Sequence, residues 1–266
     1  MDVPKTIGIV LLLYLLGYLL YLIYYAFGLF QFNPFARNVL LTQAEKRLLW
    51  YVFPISRQLS EKNREKWYGR IGWFLAHKKF KYKVEIEESK KWELILAATA
   101  SFLTLGLRDY RMWRSLFQII LRPEKYYSSL TQSDHWGEYH PGSKTIVFSV
   151  DRLVMGFREP HDNLNLAYHE FAHSLCVEMM RANSWEARRF RVGLRKIKVL
   201  FEDGTFKEKL KTDDFFREYG QTNLMEFFSV AIEGYMENHG AFAEKYPQLH
   251  YLISRMLNFR SILERE

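Results

Sequence analysis

His169-Glu170-Phe171-Ala172-His173 sits inside a segment, Asn165 to Met180, that contains neither proline nor glycine. Residues four apart on a helix lie one above the other on one face, so both imidazoles can reach a single metal ion with the Glu170 carboxylate beside them. Apolar Leu166, Ala167, Phe171, Ala172 and Leu175 keep a helical rhythm around this polar trio. Two histidine ligands and a neighbouring glutamate make the His-Glu-x-x-His pattern of zinc hydrolases, in which the glutamate is the general base for water. The stretch therefore predicts a helix carrying part of a zinc site.

A catalytic zinc ion takes three protein ligands and keeps one position open. One large class places a third histidine six residues after the second, with a glycine between. Here the glycine position is Cys176 and the histidine position is Met179, so that class is excluded. A carboxylate from a later helix is the other option. Asn223 to Glu237 reads as a helix with Leu224, Phe227, Phe228 and Ala231 on its apolar face. Glu226 and Glu233 lie about two turns apart on it and share one face. An ionised carboxylate among Phe, Val and Ile needs a partner, and a metal ion is one. Asn223 followed by Glu226 also fits a capping box, in which Glu226 merely reaches back to the backbone. Spacing leaves Glu226 and Glu233 as equal candidates.

At 266 residues the chain holds one generous domain, or one domain with appendages. The single cysteine, Cys176, excludes an intramolecular disulfide, so oxidising export is not required. A net charge of +8 points to nucleic acid or to an anionic membrane surface as a neighbour. The N-terminus favours the membrane. No charged residue occurs between Lys5 and Arg37, and residues 7–30 are a nearly continuous apolar run, long enough to cross a bilayer. Tyr21, Tyr24, Tyr25, Phe27 and Phe30 crowd its second half, as at a membrane interface. Asn33-Pro34-Phe35-Ala36-Arg37 is a poor cleavage site, which favours a retained anchor over a signal peptide. Arg37, Lys46 and Arg47 after the span, against Lys5 before it, favour a cytoplasmic body.

The expected organisation is an anchor over residues 1–35 and a body over residues 36–266. In the body a helical and strand-bearing part, about 42–127, precedes the metal-site part, about 128–266. Thr42 to Ala76 reads as helix, opened by a Thr42–Glu45 capping box and broken or kinked at Pro54. Phe80 to Ile86 alternates as a strand, and Lys91 to Gly106 is a core helix too short for a second span. Leu116 to Leu121 is a buried strand; Ser128 to His140 is a polar stretch ended by a Pro141-Gly142 turn. Thr145 to Val150 is a strand, either internal or offering a free edge to an extended peptide. The basic run Trp185 to Lys198 has no nucleic-acid reading motif, so nucleic acid is not the expected partner. It reads as a solvated face, with attraction to anionic lipid headgroups as the alternative. Glu202-Asp203-Gly204-Thr205 reads as a hairpin turn.

Three segments together resemble the zinc-dependent peptidases of the Mlc titration factor A (MtfA) type: Tyr168 to Leu175, Glu218 to Tyr235, and Phe242 with Tyr246-Pro247-Gln248-Leu249. The resemblance runs from about Thr42 to the C-terminus and is strong in the two motif helices. It implies an α+β, zincin-like (gluzincin-type) catalytic domain, here behind an N-terminal transmembrane helix. It implies one Zn2+ ion held by His169, His173 and Glu226, with Glu170 as base. It also brings Tyr219 near the metal, where the hydroxyl would stabilise an oxyanion. Glu233 is then the expected acceptor for a ligand imidazole. The function so implied is a membrane-anchored zinc metallopeptidase acting on a peptide or protein. The rival is a regulatory zinc-binding protein that sequesters a partner protein at the membrane with little hydrolysis, since family members bind a transcriptional repressor. Cys176 stands where family members usually carry Asp, and the basic run replaces their Gly- and Pro-containing loop.

Overall fold

The structure, a computed structural model, describes residues 3–26, 38–128, 131–159, 161–217, 220, 222–259 and 262. The chain separates into two units, residues 1–37 and residues 38–266. The first contains helix α1 (Val3–Ala26). Its segment Thr6–Tyr24, 19 residues and fully exposed, is long and apolar enough to cross a membrane, as either an anchor or a signal sequence would be. The last part of the apolar run 7–30 lies outside the described residues.

The second unit mixes helices with a small sheet. Helix α2 (Gln43–Val52) opens on the expected reciprocal box: Thr42 Oγ1 accepts from Glu45 N–H at 3.3 Å, and Thr42 N–H donates to the Glu45 carboxylate at 2.7 Å. The helix read over Thr42 to Ala76 is in fact two. Pro54 starts a 3-10 turn (Pro54–Gln58), and Ser60 caps helix α3 (Glu61–His77). Proline lacks the N–H that would continue α2 and clashes with its preceding turn. Phe53, at the break, is buried edge-on against Trp67 with ring centroids 5.5 Å apart.

Strand β1 (Lys79–Tyr82) is shorter than the alternation over Phe80 to Ile86 suggests. It pairs along one side only, and its side chains are mostly exposed. Helix α4 (Ser89–Leu103) is a core helix, buried along most of its length. Five strands follow: β2 (Gln118–Arg122), β3 (Tyr126–Ser128), β4 (Ser133–His135), β5 (Gly137–His140) and β6 (Thr145–Ser149). The main sheet runs β1-β2-β6-β5, parallel except for β5, which lies antiparallel on β6. Strands β3 and β4 pair with each other. The stretch Ser128 to His140, polar in sequence, thus contributes to strands. These are short or half-buried and carry no apolar alternation that would announce them. Strand β6 is internal, so the free edge weighed for it is found instead on the sheet's outer strands, β1 and β5, of which β5 is its neighbour. One sheet draws on both parts of the body, with β1 and β2 from the first and β5 and β6 from the second.

The rest is helical: α5 (Val150–Arg158), α6 (Leu166–Arg181), α7 (Trp185–Glu202), α8 (Gly204–Thr212), α9 (Leu224–Glu237), α10 (His239–Lys245) and α11 (Pro247–Leu257). Residues 202–205 are not a hairpin turn. Asp203 caps α8, its carboxylate accepting from Phe206 N–H at 2.9 Å, and no strand flanks it among the described residues. Helix α7 does keep an exposed basic face over a buried stripe of Ala187, Phe190, Gly193, Leu194 and Ile197. Arg191 departs from it: its Nη1 donates to the carbonyls of Met179 and Ala182 at 2.7 and 2.8 Å, closing the C-terminus of α6.

Where α4 ends, the backbone touches the end of α11. A Cβ on Gly106 would lie 2.3 Å from the Leu257 carbonyl oxygen. Gly106→Ala should therefore cost about 1–3 kcal/mol, as overpacking of a filled core does. The expected signature in urea unfolding is a lower midpoint at unchanged slope.

Candidate metal centre

Asn165 caps α6, its side-chain oxygen accepting from Ala167 and Tyr168 N–H at 3.1 and 3.3 Å. Phe171 fixes the helix's rotation. It is fully buried between Phe74 of α3 and Phe148 of β6, with ring centroids 6.1 and 5.7 Å away. His169 and His173, two positions either side and about 200° round the helix, are thereby turned toward α9. Glu178 holds the far end of α6: buried, it accepts from Arg114 N–H at 2.7 Å and from Arg114 Nη1 at 3.0 Å.

On α9, Asn223 supplies the cap by itself, accepting from Met225 and Glu226 N–H at 3.0 and 3.1 Å. The Glu226 carboxylate points to the imidazoles: Oε2 is 3.0 Å from His169 Nε2, and Oε1 is 3.4 Å from His173 Nε2. The two Nε2 atoms are 3.1 Å apart. Glu233, two turns along, takes the other side of the same ring. Its Oε1 accepts from His169 Nδ1 at 2.7 Å and from Arg217 Nη2 at 2.5 Å, while Oε2 accepts from Asn165 N–H at 2.7 Å. Three donors satisfy this fully buried carboxylate. With the Nδ1 proton committed to Glu233, a neutral His169 turns its Nε2 lone pair toward His173 and Glu226.

These donors lie close enough to share one ion, with one ligand atom from each within 4.8 Å of the others. Ligands at about 2.0–2.1 Å from zinc stand about 3.3 Å from one another; the two Nε2 atoms are 3.1 Å apart, and each has a different Glu226 oxygen near it, at 3.0 and 3.4 Å. Two imidazoles and a carboxylate are also a common zinc donor set. Among the described residues no other group of three or more His, Cys, Asp or Glu donors gathers this closely. Burial lowers the His169 pKa, but the Glu233 and Glu226 carboxylates outweigh it and push it up to about 10. Burial raises that of Glu226, yet hydrogen bonds from both imidazoles hold it well below the usual carboxylate range. Glu170 is buried and its pKa is raised, chiefly by desolvation, with the two imidazoles opposing. A cavity of about 310 Å³ opens here, lined by His169, Glu170, Glu233, Arg217, Trp136 and Gly137 among others.

Tyr219 lies outside the described residues. Arg217 and Asn165 were not legible as site residues. Arg217 stands in no motif, and Asn165 signals only a helix start. Cys176 is buried with Sγ 3.6 Å from Met225 Sδ, and burial pushes its thiol up to about 12. Sulfur packing therefore joins α6 to α9 at that point. Glu233→Gln should weaken zinc affinity by roughly 10–100-fold, the usual cost of losing a carboxylate behind a ligand imidazole. Competition with a chromogenic chelator measures it, and unchanged affinity would remove Glu233 from the site.

Over 218 residues, 76% of this chain and 78% of the relative, the sequence is 24% identical to an uncharacterized protein of Synechocystis sp.. Residues 34–257 match the family described as glucose-regulated metallo-peptidase M90. Since the match spans most of the chain and includes both motif helices, the protein belongs to the M90 (MtfA) metallopeptidase family.

Proposed function

We propose that this protein is a membrane-anchored zinc metallopeptidase with a zincin-like, gluzincin-type body, its ion held by His169, His173 and Glu226. The convergence of these three side chains carries the reading. Helix α6, packed on β5 and β6 of a sheet with one antiparallel edge strand and paired with α9, supports the fold assignment. When bound, zinc supplies Lewis acidity, lowering the pKa of water toward neutrality and polarising a scissile carbonyl.

The chain's own groups do the rest. Glu233 holds His169 by its Nδ1–H, so that Nε2 faces inward as an electron-pair donor. The Glu170 carboxylate takes a proton from the attacking water and delivers it to the leaving amine. Burial, by raising its pKa, suits it to receive that proton. Strand β5 begins at the cavity wall with Gly137, and its free edge can pair with an extended peptide, backbone to backbone. Tyr219 is assigned the oxyanion role on the resemblance to MtfA-type peptidases.

Residues 1–35 serve as the anchor and residues 36–266 as the catalytic body, and the basic residues that follow the apolar run favour the cytoplasm for that body. The test is reversible metal removal from the purified full-length protein. Peptide hydrolysis should vanish with a chelator and return with stoichiometric zinc. Hydrolysis that persists in the metal-free protein would sink the proposal.

A further inference from the structure

Helices α7 and α11 approach closely at Gly193, where a Cβ would lie 2.2 Å from Met256 Cγ. Beside this crossing opens a cavity of about 400 Å³, edged by Arg188, Arg189, Lys196 and Arg255. Among the described residues no acidic side chain lines it. Arg189 is the informative member: its Nε and Nη2 are shielded from solvent and have no hydrogen-bond partner among the described residues. Those two N–H groups form one edge of the guanidinium, spaced to grip two oxygens of a phosphate or carboxylate. Two shielded N–H groups without partners are costly, and three further cations at the same cavity add repulsion that an anion would relieve. The remaining cations are differently employed or solvated. Arg191 is spent on the end of α6, and Arg195 and Lys198 stand exposed outside the cavity.

The cavity exceeds what a bare phosphate fills, and its floor is apolar, with Leu252 and Met256 buried. Trp185, 75% exposed, and Tyr251, 41% exposed, stand at its rim. Such amphipathic rings favour the boundary between water and an apolar phase. We propose that the α7–α11 cavity binds a phosphate group, its charge met by Arg188, Arg189, Lys196 and Arg255, with the shielded Nε–H and Nη2–H edge of Arg189 turning out to it on binding. A phospholipid headgroup and a soluble phosphate share this chemistry. The apolar floor and the bilayer-length helix α1 favour the lipid. This site is separate from the metal centre, and its test is independent of hydrolysis.

The experiment uses the full-length protein in detergent, with native mass spectrometry counting added phosphatidylglycerol and phosphatidylcholine. In parallel, inorganic phosphate is titrated against thermal unfolding. Wild type should hold phosphatidylglycerol at least about tenfold more tightly than the double variant Arg189→Gln, Arg255→Gln, the loss of roughly one charge-assisted pair or more. The control Arg195→Gln, Lys198→Gln removes the same charge from the same region and should bind like wild type. If inorganic phosphate stabilises wild type and not the cavity variant, the site stands with a soluble ligand. If neither probe separates wild type from the cavity variant, or the control loses as much, the proposal is overturned. Should the double variant not fold, Arg255→Gln alone, at an exposed side chain, carries the same comparison.

Discussion

Glu170→Gln is expected to lower kcat/KM for peptide hydrolysis by roughly 10²–10⁴-fold, the range that a positioned acid–base group supplies. Zinc content should stay at wild-type level. The substitution keeps the shape of the side chain and removes its capacity to accept a proton, and Glu170 is not among the three donors that converge. Its burial makes the isosteric choice necessary, because a shorter residue would leave a hole beside α6 and confuse chemistry with packing. Elemental analysis beside a peptide-cleavage assay on the same preparation separates the two effects. Full activity in the variant would end the general-base assignment. The same variant distinguishes catalysis from sequestration. If the protein's task is to hold a partner, partner binding survives Glu170→Gln, whereas a peptidase loses its biological effect together with hydrolysis.

Glu226→Ala should have the complementary outcome: the metal itself is lost. The substitution deletes the only anionic member of the donor set and leaves His169 and His173 facing each other across 3.1 Å. Zinc content after dialysis should fall far below stoichiometric, and hydrolysis should fall with it. A second readout does not depend on activity. A ligand that binds only the folded state stabilises it by about 4 kcal/mol when present at a thousand times its dissociation constant. Wild type should therefore melt at a lower temperature once chelated, while Glu226→Ala should melt alike with and without chelator. Paired with the milder loss expected for Glu233→Gln, this separates a residue that donates to the ion from one that holds the donor in place. Equal zinc loss in both variants would mean that the two roles are not divided this way.

Much of the framework was legible along the chain because it depends on local rules. The four-residue spacing of His169 and His173 puts both rings on one face of any helix, and Asn165 supplies the start that this helix needed. Thr42 and Glu45 announce their capping box within three residues, and Pro54 announces the break that follows. The apolar run at the N-terminus needs only length and composition to be read as long enough to cross a bilayer, as either an anchor or a signal sequence would be. The readings that failed had no local signature or had a misleading one. Asp203-Gly204 carries hairpin chemistry but sits between two helices, where Asp203 serves as a cap. Strands β4 and β5 take their order from backbone pairing with β3 and β6, partners that a polar stretch does not name.

The opening stretch could name two candidate donors and a candidate base, because helical periodicity alone aligns them. It could not choose between Glu226 and Glu233, since seven residues return to the same face of α9 and both carboxylates satisfy the pattern equally. That choice belongs to the register of α9 against α6. With Phe171 seated between Phe74 and Phe148, and with Phe227 and Phe228 buried on α9, the helices meet so that Glu226 faces both Nε2 atoms. Glu233 then reaches only the back of one ring, where Arg217 and Asn165 complete its bonding. Local spacing sets which residues can point the same way; only packing between distant segments sets what they point at.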